Sequence, residues 1–352
     1  ERQRTMAGPA TVFPLVSLLL SFEHAAATLS ANTLGAPQEL KSLVPDVCTN
    51  RSSTCSILLD VPESCAGSSS ACPLALFFHG HGGANKMFPH QRPGVFDYDF
   101  IGLYPQGELY AGRSGWNDGS MDGNQCAYDD YNCTLDPNDA IFVKGIISVM
   151  RGLGASGRVY AYGSSNGANE VQILAANAVL SAQNFAALPI SGIAANSGQL
   201  LAKPTRSGPA PYDYNEPCAG TQPCTGGGSV AQLSIHGTAD GAIHYDGGKR
   251  LGSDIFILEA EEVSDAIWAQ QNGCNAKPVS TNITANGQPV GDTTATHYVY
   301  SGCPATAPVE LYKVFDVQHV ATRKLDGQDV MGIVLEFFTK IEAAHSAIVE
   351  EV

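Results

Sequence analysis

The stretch RVYAYGSSNGANE, residues 158–170, joins a run of β-branched and aromatic residues to a segment with helical spacing. Gly163 and Gly167 stand two residues before and two residues after Ser165. This G-x-S-x-G spacing between a strand and a helix is typical of a sharp turn that exposes the serine hydroxyl at the end of a strand. Ser165 is therefore a candidate nucleophile, the alternative being an incidental serine in a glycine-rich turn.

The same strand-to-helix order recurs along the chain. Apolar runs predict strands at 54–62, 74–79, 99–104, 158–162, 187–194, 231–236 and 309–317, and helical spacing predicts helices at 136–153, 166–180, 254–272 and about 328–344. Alternating strands and helices favour a mostly parallel central sheet with helices on both faces, which is an α/β fold.

A serine hydroxyl becomes an effective nucleophile only when a base removes its proton and a carboxylate orients that base. In this kind of fold the acid and then the base follow the serine. Asp240 lies just past the predicted strand 231–236, after Gly237-Thr238-Ala239, and is the preferred acid, with Asp246 as its rival. His319 follows the predicted strand 309–317 and is the preferred base, with His244 as the next candidate. Structural or solvent-facing positions are expected for His297 and His345.

Acyl transfer also requires donors for a developing oxyanion. The backbone amide of Asn166, at the start of a helix, and that of His81, in the loop HGHGG at 79–83, are the candidates. Trp116 offers a substrate-stacking face or, equally, a packing residue. The acidic residues between 129 and 139 are explained by a solvated loop and a helix cap more simply than by calcium, so no metal site is predicted.

The charge of the chain disfavours negatively charged partners. The 352 residues include 34 acidic and 19 basic side chains, with a formal net charge of -15. This balance disfavours nucleic acid and anionic membrane surfaces as main partners. A hydrophobic content of 44% is sufficient for a sizeable core.

Three parts of the chain differ in composition. Residues 1–27 have a short apolar core that ends in Ala25-Ala26-Ala27, the pattern of a leader with a secretory signal peptide. An N-terminal extension is expected at 28–53 and one α/β catalytic domain at 54–352. Its Gly- and Pro-rich insertion at about 197–229 is a candidate rim or lid.

Ten cysteines behind a secretory signal predict disulfides, whose connectivity spacing alone leaves open. They are Cys48, Cys55, Cys65, Cys72, Cys126, Cys133, Cys218, Cys224, Cys274 and Cys303. Their spacing is not that of a zinc site. Sequons at Asn50, Asn132 and Asn282 are compatible with a secreted glycoprotein.

These motifs occur in a recognisable order: LFFHGHGG, YPQG followed by GWNDG, RVYAYGSSNGANE, IHGTADGAIHYDGG and the segment around His319. In this order the chain, from about residue 54 to 341, resembles the secreted polyhydroxybutyrate depolymerase and feruloyl or acetylxylan esterase group of the α/β-hydrolase superfamily. The resemblance implies an α/β-hydrolase fold, with Ser165 as nucleophile, Asp240 as acid, His319 as base and a Cys274–Cys303 disulfide.

The function implied by this resemblance is extracellular hydrolysis of carboxylic esters, without a cofactor, through an acyl-enzyme. The substrate class would be feruloyl or acetyl esters of polysaccharides, or polyhydroxybutyrate-type polyesters. A serine peptidase would use the same residues. A catalytically silent scaffold that acts as a secreted binding protein is the alternative from another class.

Overall fold

The computed structural model describes residues 28–48, 55–67, 69–91, 93–110, 113–116, 139–179, 188–200, 229–249 and 257–350. Several predicted features lie outside these ranges: the signal peptide, the cysteines at 126, 133, 218 and 224, the sequons at Asn50 and Asn132, and most of the 197–229 insertion. Within the described ranges, no helix has the length and apolar character needed to cross a membrane.

A twelve-stranded sheet forms the centre of the described structure. In spatial order its strands are β1 (Gln38–Glu39), β2 (Ile57–Asp60), β4 (Ile101–Pro105), β3 (Leu74–Phe78), β7 (Val159–Ser164), β8 (Ile190–Asn196), β9 (Ala231–Gly237), β14 (Val309–Val314), β13 (Gly291–Tyr300), β12 (Pro278–Gly287), β15 (Thr322–Leu325) and β16 (Gln328–Asp329). Two small pairs lie apart from it: β5 (Glu108–Tyr110) with β6 (Arg113–Gly115), and β10 (Gly248–Lys249) with β11 (Ile257–Leu258).

The six strands from β4 to β14 run parallel to one another, and the strands that flank them pair antiparallel. The helices are α1 (Leu40–Leu43), α2 (Asp139–Gly152), α3 (Asn166–Val179), α4 (Glu261–Gln271) and α5 (Val330–Glu350). The six parallel strands at the centre and the helices on both faces confirm the α/β fold that the alternation of strands and helices predicted, and the α/β-hydrolase fold that the family resemblance implied. In such a sheet the parallel strands end at one common edge, where functional side chains can meet.

Two apolar cores form, one on each face of the sheet. Successive side chains of a strand point to opposite faces, so Leu76 and Phe78 of β3 pack in the core that α2, α3 and α4 cover. Phe77 of the same strand packs in the other core, which also contains Phe338 of α5. The almost continuously apolar sequence of β3 therefore follows from burial on both faces.

Some element boundaries differ from the predicted ones. The helix predicted over 254–272 begins at Glu261, because Ile257 and Leu258 instead pair with Gly248 and Lys249 as a short strand. The long hairpin of β12 and β13 was not predicted as such. Much of β12 is exposed on both of its faces, so the strand lacks the apolar alternation that identifies a half-buried strand.

Three disulfides join the cysteines of the described residues: Cys48–Cys55, Cys65–Cys72 and Cys274–Cys303. The pair Cys274–Cys303 is the one that the family resemblance implied. It ties the segment after α4 to the segment after β13, which stabilises the flank of the sheet next to β14.

Candidate active site

Ser165 lies on a tight turn between β7 and α3. Its backbone adopts φ 56°, a left-handed conformation that is costly for a residue with a side chain. A Cβ at Gly163 would overlap the carbonyl of Gly167, and a Cβ at Gly167 would overlap the carbonyl of Phe78. Both positions therefore require glycine, and the sharp turn projects the Ser165 side chain beyond the end of β7.

Asp240 follows β9, the strand two places from β7 in the sheet. Its side chain is fully buried, and Oδ1 accepts hydrogen bonds from the amides of Ala242 at 2.8 Å and Ile243 at 2.9 Å. Burial alone would raise the pKa of Asp240. Hydrogen bonds from His236 and His319 outweigh that effect and hold the pKa well below its usual range, so the carboxylate is ionised.

The loop after β14 brings His319 to the same edge of the sheet. Gly237, at the end of β9, lies so close to the carbonyl of Val317 that a Cβ would overlap it. The amide of Ala239 donates to the Val317 carbonyl at 3.0 Å, and the amide of Val320 donates to Ser197 Oγ at 3.0 Å. These contacts fix the loop on both sides of the histidine.

The three side chains form one hydrogen-bonded chain. His319 Nδ1 lies 2.7 Å from Asp240 Oδ2, and His319 Nε2 lies 2.7 Å from Ser165 Oγ. Because the Asp240 carboxylate can only accept, Nδ1 carries the proton and Nε2 is free to accept the hydroxyl proton of Ser165. This arrangement can deprotonate a serine hydroxyl and stabilise the imidazolium that results.

The rival residues do not occupy these positions. Asp246 and His244 are both exposed, on the segment after Asp240. His297 is paired with Glu310 at 2.7 Å and stacked on Tyr312, in agreement with the structural role predicted for it.

The glycine-rich loop at 79–83 lies against the serine. A Cβ at Gly80 would approach the Cβ of Ser165 to 3.1 Å, so the loop backbone is in near contact with the turn. The buried His79 ring donates from Nδ1 to the Gly80 carbonyl at 2.8 Å and accepts at Nε2 from the Gly107 amide at 3.0 Å. Burial lowers the pKa of His79, and the ring thus acts as a neutral support for the loop.

The substrate-stacking role predicted for Trp116 is wrong, because the residue is 0% exposed. Its ring packs edge-on against Phe78, and Nε1 donates to the His79 carbonyl at 2.8 Å. Its backbone makes two hydrogen bonds with the side chain of Asn166, at 2.7 and 3.0 Å. Trp116 therefore packs in the core and connects the loop at 79–83 to the first residue of α3.

His236, on β9 and four residues before Asp240, was not predicted as a site residue. Its Nε2 lies 3.1 Å from Asp240 Oδ2, the same oxygen that His319 Nδ1 contacts. The signal was present in the sequence IHGTAD, where a histidine in an apolar strand precedes the candidate acid by four residues.

No protein-family model matches the chain, and no curated protein sequence matches it significantly. Among solved structures, it is similar to an acetyl xylan esterase from Aspergillus awamori, with 14% identity over 87% of this chain and 99% of the other, at a TM-score of 0.48. Thermogutta terrifontis esterase 2 phosphorylated by paraoxon has 15% identity over 84% and 88%, at a TM-score of 0.43. Est1E from Butyrivibrio proteoclasticus has 13% identity over 83% and 95%, at 0.39.

Proposed function

We propose that the protein is an extracellular carboxylic-ester hydrolase with Ser165 as nucleophile, His319 as general base and Asp240 as the residue that orients the base. The observation that carries the proposal is the pair of 2.7 Å contacts through which His319 links Ser165 Oγ to Asp240 Oδ2. The left-handed backbone of Ser165 supports it, because such strain is retained where a side chain must be held in one position.

In the proposed reaction His319 takes the proton of Ser165 while Oγ attacks the ester carbonyl carbon. The tetrahedral oxyanion accepts hydrogen bonds from the backbone amides of Asn166 and His81. The amide of Asn166 suits this role because the first N–H groups of a helix have no acceptor within the helix. His319 then protonates the leaving alcohol. In the second half of the reaction His319 deprotonates a water molecule that attacks the acyl-enzyme, and the carboxylic acid is released as Ser165 regains its proton.

The proposed substrates are feruloyl or acetyl esters of polysaccharides, or polyhydroxybutyrate-type polyesters. The excess of acidic side chains suits neutral ester substrates better than polyanions. Three disulfides among the described residues support an oxidising compartment, and thus secretion. Asn282 lies exposed on β12 and is a proposed glycosylation site.

The test is hydrolysis of four esters by protein with its disulfides formed: p-nitrophenyl acetate, methyl ferulate, an acetylated xylan oligomer and a hydroxybutyrate oligomer. Ser165→Ala should abolish turnover, and the preferred ester identifies the substrate class. Ser280→Ala, at an exposed position of β12, is the matched control and should retain full activity.

A fluorophosphonate probe supplies a second measurement that does not depend on the choice of ester. It should label the native chain and the Ser280→Ala variant, but not Ser165→Ala. A folded native chain that hydrolyses none of the esters and takes up no probe would contradict the proposal and favour a silent binding scaffold.

A further inference from the structure

The hydrogen-bonded chain continues behind Asp240 into the protein interior. His236 is fully buried, with Nε2 at 3.1 Å from Asp240 Oδ2 and at 3.0 Å from the carbonyl of Ile243. Its other ring nitrogen, Nδ1, lies 2.5 Å from Glu261 Oε2 at the start of α4. His236 thus lies between two carboxylates, one of which also contacts the proposed base His319.

The acceptors around the ring determine its protons. The Ile243 carbonyl can only accept, so Nε2 must carry a hydrogen and donates to both oxygens near it. Nδ1 faces a carboxylate oxygen, which an N–H group satisfies. With both nitrogens protonated, His236 is an imidazolium. Burial opposes this charge, but the hydrogen bonds to Asp240 and Glu261 raise the pKa of His236 to about 10.

Several titratable groups surround the His236 ring. They are Asp240 and Glu261 in contact, Tyr245 with its ring 5.5 Å away, Asp265 and Glu262 from α4, and Lys313 and His319 from β14 and the loop after it. Burial and the charge of Glu261 raise the pKa of Asp265 well above its usual range. Lys313 is paired with Glu262 at 2.8 Å. His236 is thus the cation that the carboxylates of Asp240 and Glu261 both contact.

We propose that His236, held by Glu261, is a positioning residue that fixes the Asp240 carboxylate and, as a buried cation, sets the pH at which His319 becomes available as a base. The proposal rests on the proposed function of the Ser165, His319 and Asp240 side chains. Asp240 Oδ2 accepts from His236 on one side and from His319 at 2.7 Å on the other. Two donors on one oxygen fix the rotation of the carboxylate, and with it the orientation of the His319 ring.

The charge of His236 affects how easily the nearby His319 ring is protonated. Removal of a cation near His319 makes protonation of the His319 ring easier, whereas removal of an anion makes it harder. His236→Gln keeps an N–H donor and removes the charge. This variant should shift the acidic limb of the pH profile of kcat/KM upward by about 0.5 to 1 pH unit. Glu261→Gln should shift the limb downward or leave it in place, because His236 then either keeps an unbalanced charge or loses its proton.

Kinetics on p-nitrophenyl acetate separate positioning from a general loss of structure. His236→Phe removes the donor as well as the charge, so its kcat should fall about 10- to 100-fold, with KM little changed. His236→Gln should retain more of the native kcat than His236→Phe does. His297→Gln is the matched control, since it also breaks a histidine–carboxylate pair but lies away from Asp240; its pH profile should equal that of the native chain.

Nuclear magnetic resonance of ¹⁵N-histidine-labelled protein tests the inference without any substrate. In the native chain both ring nitrogens of His236 should remain protonated at pH 8, and the titration midpoint of the His319 ring should move upward in His236→Gln. If the native chain hydrolyses no ester while these ring measurements hold, the proposed function fails, and only the electrostatic coupling between His236 and His319 stands. A neutral His236 ring at pH 8, an unmoved His319 midpoint in folded His236→Gln, or an upward shift in Glu261→Gln would overturn the inference.

Discussion

Ser165 Oγ and His319 Nε2 lie 2.7 Å apart although 154 residues separate them in the sequence. The parallel strand order brings them together, because β7 carries Ser165 at its end and β14 leads into the loop of His319. β8 and β9 lie between these two strands, and β9 carries Asp240 just beyond its end. The contact therefore depends on the alignment of four strand ends at one edge of the sheet.

Substitution of the three hydrogen-bonded side chains should reduce ester turnover to different extents. Ser165→Ala and His319→Gln should each lower kcat by about 10⁵-fold or more, and Asp240→Asn by about 10⁴-fold. The asparagine amide would present a donor to a histidine nitrogen that needs an acceptor. Steady-state kinetics on p-nitrophenyl acetate measure these losses. Near-native turnover in His319→Gln would show that another group, with His244 first to be examined, acts as the base.

The glycines on both sides of Ser165 should be intolerant of a side chain. Gly163→Ala would push a Cβ into the Gly167 carbonyl, so the free energy of unfolding should fall by about 2–3 kcal/mol. A Cβ at Gly145, inside α2, would have no heavy atom within 4 Å apart from the adjacent backbone of its own helix, and Gly145→Ala should raise the free energy of unfolding by up to about 1 kcal/mol. Urea unfolding of the two variants measures both effects. Equal effects would contradict the steric explanation.

Loss of the Cys274–Cys303 disulfide should destabilise the fold more than loss of Cys48–Cys55. The two bonds close segments with sequence separations of 29 and 7 residues, and a longer closed loop restricts the unfolded chain more strongly. Double Cys→Ala replacement of the first pair should cost about 3–4 kcal/mol, about 1 kcal/mol more than that of the second. Thermal unfolding without reductant provides the comparison. The reverse ranking would mean that native packing, rather than loop closure, dominates.

The stability of the fold should decrease from neutral to alkaline pH. The pKa of His236 is about 10 in the folded protein and 6.5 where the side chain has no contacts, as in the unfolded chain. The stabilisation of the fold by protonated His236 is therefore complete below about pH 6.5 and is lost as the pH rises to about 10. The slope contributed by one proton is at most about 1.4 kcal/mol per pH unit. Urea unfolding of the native chain and of His236→Gln between pH 6.5 and 10 isolates this contribution. Parallel curves for the two proteins would contradict it.

Asp240 should make the fold less stable as the pH falls, whereas His236 does so as the pH rises. Because hydrogen bonds lower its pKa in the folded protein, its stabilisation is present above about pH 4 and is lost as the pH falls further. Asp240→Asn should therefore lose less stability than the native chain between pH 4 and pH 2, as measured by thermal unfolding across that range. A native chain equally stable at both ends of the range would exclude this contribution.

The order of strands and helices could be predicted because local patterns specify it. Apolar runs such as 74–78 and the helical spacing of 139–152 reflect burial against the sheet, which any correct fold must satisfy. The start of α4 could not be predicted, since pairing of Ile257 and Leu258 with Gly248 and Lys249 overrides their helical spacing. Exposed strands such as β12 carry little apolar signal at all.

The sequence by itself determined the strand-turn-helix around Ser165, because two glycines at fixed spacing are what a sharp turn requires. It also placed Asp240 and His319 within a few residues of strand ends, where functional groups of a parallel sheet lie together. Only the tertiary structure decided which histidine contacts Ser165, which acid contacts that histidine, that Trp116 is buried against Phe78, and that His236 contacts Asp240. Those facts depend on contacts between residues distant along the chain, whose distances are set by the packing of whole strands and loops.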